Sequence, residues 1–209
     1  ITAEEAQSSL SDMGISQEQY EQALLSAAAA GNKEVVSLLI YAKPELLNLT
    51  NDKGETALHL AAENGNAELC EFLIKNGSSV KALSKQAKLP LHIAAAKGHA
   101  ECVQILLKKG SQPDEGDLDS MTPLMHAAAN GHASCISILN EAGATVKQKY
   151  SGEKSPLMLA AAGGHVQCAE MLISLGAELN IRDEKRYTSL MYAAAGGHTQ
   201  CVKILLAAG

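Results

Sequence analysis

The sequence predicts an all-α solenoid of stacked helix-turn-helix units, and three observations lead there. The first is a repeat of 33 residues: Gly65, Gly98, Gly131, Gly164 and Gly197 fall one period apart, as do Cys102, Cys135, Cys168 and Cys201. Leu58, Leu91, Leu124, Leu157 and Leu190 keep the same step, and so do the Ala-Ala pairs beginning at Ala61, Ala94, Ala127, Ala160 and Ala193. One further unit precedes them at a step of 34, with Gly31 matching Gly65 and Ala27 matching Ala61, which makes six copies. The second observation is a pair of helix signals, separated by a stop, in each copy. The third is composition: with no Trp, one Phe (Phe72), five Tyr and 46% hydrophobic residues, Ala and Leu must fill the interior, and both favour helix.

Residues 1–18 lie outside the repeat. Thr2 with Glu5 and Ser16 with Gln19 have capping-box spacing, and Gly14 between them is a stop. This predicts a short N-terminal capping helix over residues 3–12, followed by a lengthened first helix over about 17–29. The repeats then occupy residues 19–209, in segments of about 19–50, 51–83, 84–116, 117–149, 150–182 and 183–209. In the fourth, Thr122 is an N-cap, Pro123 sits at the first helical position where its missing N–H costs nothing, and Gly131 supplies a left-handed stop. A helix over 123–130 follows, and after His132 the apolar-periodic stretch "ASCISILNEA" predicts a second one ending at Gly143.

Helices of about 8 to 10 residues do not survive alone, so their stability must come from stacking. First helices carry Ala where second helices carry Leu, Ile and Val, which lets first helices approach more closely. The stack is therefore expected to curve with the Ala-rich helices on its concave side. Gly209 closes a unit and leaves the apolar side of "CVKILLAAG" without a neighbour, and Ile1 stands where an initiator Met would. These features point to a piece of a longer protein, or to a second copy covering that face; the first is preferred because uncapped arrays dissolve poorly.

"GETALHLAAENGNAELCEFLIKNG" at 54–77, "LPLHIAAAKGHAECVQILLKKG" at 89–110 and "TPLMHAAANGH" at 122–132 resemble the ankyrin repeat, with its Gly-x-Thr-Pro-Leu-His start and its Gly-His between helices. The resemblance covers about residues 19–209. It implies β-turn fingers projecting from the helix pairs, a binding groove made by fingers and first helices, and an interaction module without catalytic activity. The departures matter too. The family's Thr-to-His hydrogen bond is available only as Thr56 and His59; Leu89 accompanies His92, and Met125, Met158 and Met191 replace the His. The finger-turn glycine survives only as Gly54, with Ala87, Ser120, Glu153 and Arg186 in its place. Holding a residue other than Gly at positive φ costs on the order of 1 kcal/mol, so those fingers are expected to be reshaped or loosened.

The net charge of −6 and pI near 5.6 give no electrostatic footprint for nucleic acid or anionic lipid. No apolar run approaches the ~18 residues a membrane span needs, and residues 1–15 form no secretory signal. Five cysteines is an odd count, and reduced thiols predict a cytoplasmic setting, with periplasm or secretion left open.

His-x-x-Cys occurs at His99/Cys102, His132/Cys135, His165/Cys168 and His198/Cys201. Zinc would need all its ligands within about 2.3 Å, whereas adjacent units sit roughly 8 to 10 Å apart, so the Cys reads as core and the His as a loop residue bonding backbone. The same separation argues against disulfides between units. Asp114, Glu115, Asp117 and Asp119 gather in one finger without EF-hand spacing, which predicts a solvated acidic finger rather than a calcium site. Lys85 and Lys88 precede it, and Lys147, Lys149 and Lys154 follow. Six of the seven histidines fill repeat positions. Only His126 is off-pattern and faces the groove, and with no nucleophile or acid evident in its register it reads as a partner contact rather than a general base. No enzyme activity, cofactor or metal is predicted.

The reading is a non-enzymatic scaffold that binds another protein through its concave groove; the alternative is the targeting arm of a longer enzyme or membrane protein. The candidate partner-binding residues are Asp52, Lys53, Glu55, Glu63 and Asn64 in the second unit, and Lys85, Lys88 and Lys97 in the third. Asp119, Met121, His126 and Asn130 follow in the fourth, Lys154 in the fifth, and Glu184, Lys185, Tyr187 and Tyr192 in the sixth. The tyrosines and exposed methionines are the expected anchors. A monomer is expected, with self-association through the bare last unit as the other possibility.

Overall fold

The computed structural model describes residues 16–147 and 154–209. The expected helix over 3–12, the Thr2–Glu5 box, Gly14, Lys149 and Glu153 lie outside these. Among the described residues there are six helix pairs and no named strand: α1 (Gln17–Ala29) with α2 (Lys33–Ala42), α3 (Ala57–Glu63) with α4 (Ala67–Lys75), and α5 (Pro90–Lys97) with α6 (Ala100–Lys108). Then come α7 (Pro123–Asn130) with α8 (Ala133–Glu141), α9 (Pro156–Ala162) with α10 (Val166–Ser174), and α11 (Ser189–Ala195) with α12 (Thr199–Ala208). A 3-10 turn, Pro44–Asn48, follows α2.

The helix ends form where the capping residues stand. Ser16 Oγ accepts from the Gln19 N–H at 3.3 Å while Gln19 Oε1 accepts from the Ser16 N–H at 2.8 Å, closing the box at the start of α1. Thr122 Oγ1 accepts from the Met125 N–H at 3.4 Å, Pro123 opens α7, and Gly131 ends it at φ 82°.

Odd-numbered helices pack against one another more extensively than even-numbered ones do, so the stack bends toward the odd-numbered, Ala-rich row. The Ala pairs at 61–62, 94–95, 127–128 and 160–161 are fully buried between those helices, as are Leu58, Leu91, Leu124 and Leu157. A second contact locks the approach. His99, His132, His165 and His198 each reach back one unit and donate from Nε2 to the carbonyls of Glu63, Ala96, Ala129 and Ala162, at 2.8, 3.0, 3.0 and 2.9 Å. Asn66, the residue in that register in the second unit, does the same to Gly31 O at 2.8 Å. Each acceptor lies at or just beyond the C-terminal end of a first helix, where carbonyls lack intrahelical partners.

The fingers depart from expectation. Ala87, Ser120 and Arg186 sit at φ 54°, 60° and 63°, beside Gly54 at 74°, so these fingers keep one geometry instead of being reshaped. The reason is an acceptor side chain at the first finger position. Asn51 Oδ1 accepts from the N–H of Lys53 and Glu55 (2.9 Å each), Ser84 Oγ from Gln86 and Lys88 (3.3 and 3.2 Å), Asp117 Oδ1 from Asp119 and Met121 (3.0 Å each), and Asp183 Oδ1 from Tyr187 (2.7 Å). At about 0.5–1.5 kcal/mol per bond, and more where the acceptor is charged, these offset the backbone strain. Neighbouring fingers also bond to each other, Lys85 N–H to Lys53 O at 2.8 Å and Leu118 N–H to Gln86 O at 3.0 Å. A Cβ on Gly54 would come within 2.9 Å of Lys85 N, so that position is constrained by space as well as by φ. Gly54→Ala is therefore expected to lower stability by about 1–2 kcal/mol while Ala87→Gly does not lower it, as read by urea unfolding.

His59 and His92 are fully buried at the base of the fingers. Nδ1 of His59 accepts from the Thr56 N–H (3.1 Å), with the Thr56 hydroxyl at 2.9 Å, and Nδ1 of His92 accepts from the Leu89 N–H (3.0 Å). Each Nε2–H then donates to the next finger, to Lys88 O and Glu115 O at 2.9 Å, which fixes both rings as neutral. Burial pushes His59 below its usual value; burial, with the charge of His126 adding to it, brings His92 down to about 4. Between pH 6.5 and about 4 the unfolded chain binds a proton at His92 that the folded chain refuses, so stability falls as pH falls through that window. The loss should reach about 3 kcal/mol from His92 once both forms are protonated, measurable as a drop in the urea midpoint.

Candidate functional site

Fingers and first helices of the second to fourth units enclose a concavity of about 460 Å³. It brings together eight of the candidate residues. Asp52, Lys53 and Glu55 come from one finger, Lys85 and Lys88 from the next, Glu63 and Lys97 from the ends of α3 and α5, and His126 from α7. Ile93 and Ala96 contribute apolar surface from α5. Lys97 and Glu63 pair at 3.1 Å, both about half exposed, so the pair contributes little to stability. The other candidates lie outside this concavity. Asp119, Glu184, Lys185 and Tyr187 are exposed on fingers, and Met121 and Lys154 are half-buried. Asn64 and Asn130 are exposed but engaged: Asn64 Nδ2 donates to the carbonyls of Ala28 and Ala29 in the preceding unit, at 3.3 and 2.5 Å, and Asn130 Nδ2 donates to His126 O at 2.8 Å.

His126 is not the free contact its off-pattern position suggested. Its side chain is 12% exposed and its Nε2 lies 2.8 Å from Asp117 Oδ2, whose side chain is 2% exposed. The ring also meets that of His92 edge-on, with centroids 5.7 Å apart. An acid thus stands in His126's own register, nine residues earlier. Burial lowers the imidazole's pKa against the carboxylate's opposing pull. Burial also raises Asp117, but the hydrogen bond from His126 and the backbone N–H groups of Met121 and Asp119 outweigh it, leaving the carboxyl below its usual value. The sixth unit repeats the arrangement with a different donor: Tyr192 OH donates to Asp183 Oδ2 at 2.5 Å, its ring lies 5.5 Å from that of Tyr187, and the Lys154 ammonium sits 4.9 Å from its centroid. A position filled by imidazole in one unit and phenol in another serves to hold the finger onto the first helix. Tyr192 is therefore a finger anchor as much as a surface ring.

The acidic finger is likewise not wholly solvated. Asp117 is buried, Asp114 accepts from the N–H and hydroxyl of Thr145 at 2.8 and 2.7 Å, and only Glu115 and Asp119 point into water. Among the described residues no three His, Cys, Asp or Glu side chains converge as metal ligands would. The five cysteines are fully buried and unpaired, with Cys70 and Cys102 Sγ atoms 4.0 Å apart; burial pushes the Cys135 and Cys168 thiols up to about 11. Thiols raised in this way, Cys135 and Cys168, are inert at neutral pH.

Sequence reasoning missed three residues that matter. Leu118, 70% exposed at a finger tip, follows Asp52 and Lys85 by 33-residue steps; Ile93 precedes His126 by one step; Asp183 follows Asp117 by two. The register that placed their equivalents carries all three.

The family model for ankyrin repeats matches in three copies, over residues 4–84, 76–150 and 143–209. The chain is an ankyrin repeat protein. Ankyrin repeats are protein-interaction modules, typically without enzymatic activity. Similar curated proteins include diacylglycerol kinase zeta of Rattus norvegicus, 37% identical over 65 residues, which is 31% of this chain and 7% of that protein. The palmitoyltransferase akr1 of Schizosaccharomyces pombe is 38% identical over 60 residues (29% of this chain, 9% of that protein). The probable 26S proteasome regulatory subunit p28 of Saccharomyces cerevisiae is 42% identical over 66 residues (31% and 28%). The matched stretches thus span less than a third of each relative. Among the described residues of this ankyrin array no helix is long and apolar enough to cross a membrane.

Removing the carboxylate should loosen the fourth finger. Asp117→Ala is expected to cost about 2–3 kcal/mol, since it strands two backbone donors and a partly buried imidazole, and Asp117→Asn less, because its Oδ1 still accepts. In both variants His126 loses the group that raises its pKa and should titrate lower still by NMR.

Proposed function

We propose that this chain is a non-enzymatic scaffold that binds another protein through the groove lined by its fingers and first helices. The observation that carries the reading is the concavity, where side chains from three successive units converge while their backbones are held by finger-to-finger hydrogen bonds. A preorganised surface of this kind binds without a large ordering cost. Extended along the finger row to Leu118 and Tyr187, it offers exposed apolar side chains of the sort that dominate interface energetics. Groove length over several units is compatible with the ~800 Å² per partner of a standard interface.

The second reading, that the array is the binding arm of a longer enzyme or membrane protein, draws support from the kinase and palmitoyltransferase relatives, in which the matched stretch is under a tenth of the length. The two readings share the groove and differ only in what else the polypeptide carries.

Photocrosslinking tests the placement. Benzoylphenylalanine introduced at Lys85 or Tyr187 is expected to give discrete protein adducts, whereas the same probe at Glu71 or Glu101, exposed on the second-helix row, is expected to give none. Adducts concentrated on the second helices would refute the groove. Tyr192→Phe compared with Tyr192→Ala separates the two roles of that side chain: Phe removes the hydrogen bond to the finger and keeps the ring, so binding retained in Phe and lost in Ala assigns the contact to the ring.

A further inference from the structure

Resting on that groove reading, we propose that the segment entering the concavity of the second to fourth units is an extended acidic stretch of a protein partner, with carboxylates meeting Lys53, Lys85 and Lys88 and an apolar side chain resting on Ile93. The charge distribution carries the inference. The chain as a whole is acidic, with 23 Asp and Glu against 17 Lys and Arg. The concavity reverses that balance: four lysines line it against Asp52, Glu55 and Glu63. Glu63 is paired with Lys97 at 3.1 Å, which leaves three lysines against Asp52 and Glu55, and the Asn51 amide holds the Glu55 carboxylate at 2.8 Å. The ammonium groups of Lys53, Lys85 and Lys88, by contrast, form no ion pair among the described residues.

Their placement is enforced by the fold. Lys53 and Lys85 belong to fingers joined through the Lys85 N–H and Lys53 O, so the two side chains are held on adjacent ridges. Lys88 leads into α5 and lies close enough to His126 for its charge to disfavour the imidazolium. Cations in a concave site focus their field and select an anionic partner both in encounter and in register. The apolar surface of Ile93 and Ala96 beneath them calls for a side chain between the carboxylates. A nucleic acid is disfavoured, because phosphates beyond the three lysines would meet the chain's net charge of −6, and no Tyr, Phe or Trp lines the concavity for bases to stack on.

The test is an NMR titration of the 15N-labelled chain with synthetic decapeptides built on Glu-Glu-Leu, Gln-Gln-Leu and Lys-Lys-Leu, and with a single-stranded thymidine decamer. The acidic peptide should shift the amides of residues 52–55 and 84–97 and bind at least about ten-fold more tightly than the Gln peptide, with the advantage fading as salt rises. Lys85→Gln/Lys88→Gln should remove that advantage, Lys85→Glu/Lys88→Glu should reverse it, and Lys108→Gln/Lys109→Gln at the end of α6 should leave it intact; each variant's own spectrum reports its fold. An acidic peptide no better than the Gln peptide, insensitivity to the Lys85 and Lys88 changes, or equal binding of the oligonucleotide would overturn the inference. If the basic or neutral peptide maps to the same amides instead, the acidic partner is wrong and the groove reading stands. Crosslinks confined to the second-helix row would remove the groove reading itself.

Discussion

How closely one first helix approaches the next decides everything else in this array. Two Ala side chains per unit set the distance, and their burial leaves no room for a larger residue at the seam. At that spacing the imidazole of the following unit lies against the glycine that ends the preceding first helix, where any Cβ on Gly65, Gly98, Gly131 or Gly164 would collide with it. The same imidazole satisfies a carbonyl at the helix end that would otherwise lack a partner. Alanine, glycine and histidine thus form one device, and none of the three has its purpose without the other two. The reactive-looking His-x-x-Cys pairs dissolve into it: the ring is engaged with the preceding unit and the thiol fills the core behind it.

The fingers answer to a different constraint, since they lack a core of their own. What holds each is a short polar side chain at its first position, Asn51, Ser84, Asp117 or Asp183, that accepts backbone N–H groups across the turn. Where that residue is Asp, its second oxygen remains free to tie the finger to the first helix, through His126 in one unit and Tyr192 in another. The array therefore tolerates Ala, Ser and Arg in a left-handed conformation that glycine usually serves. Strain at one residue is offset by hydrogen bonds at its neighbour.

The described helices whose bounds the pattern gives, about 17–29, 123–130 and 133–142, are legible to within a residue because period, cap and stop coincide: Thr122, Pro123 and Gly131 bound α7 where the pattern puts it. Eight of the candidate residues converge on one concavity because fingers and first helices recur at one step. What the sequence hid were pairings nine residues apart across a turn. Nothing in the spacing of Asp117 and His126 distinguishes a buried carboxylate-imidazole contact from two solvent-facing groups, so the sequence alone predicts a solvated acid and a free base. The expectation that fingers lacking the glycine are reshaped or loosened fails at Ala87, Ser120 and Arg186 for the same kind of reason, because one residue's backbone preference leaves out the side-chain acceptor three positions earlier.

The framework of this array repeats from unit to unit, and the residues along its groove do not. The buried columns vary little, Leu58 to Leu157 being one residue type throughout. The column through Glu55, Lys88, Met121, Lys154 and Tyr187 changes chemistry at every step, from acid to base to thioether to base to ring. Packing cannot require that variation, because these positions are half-buried or exposed. A surface whose charge changes along one axis is matched by a partner running in one direction only, and reversing or shifting that partner by a unit sets like charges against each other. The 33-residue step that fixes the fold therefore also sets the spacing of charge and ring along the groove.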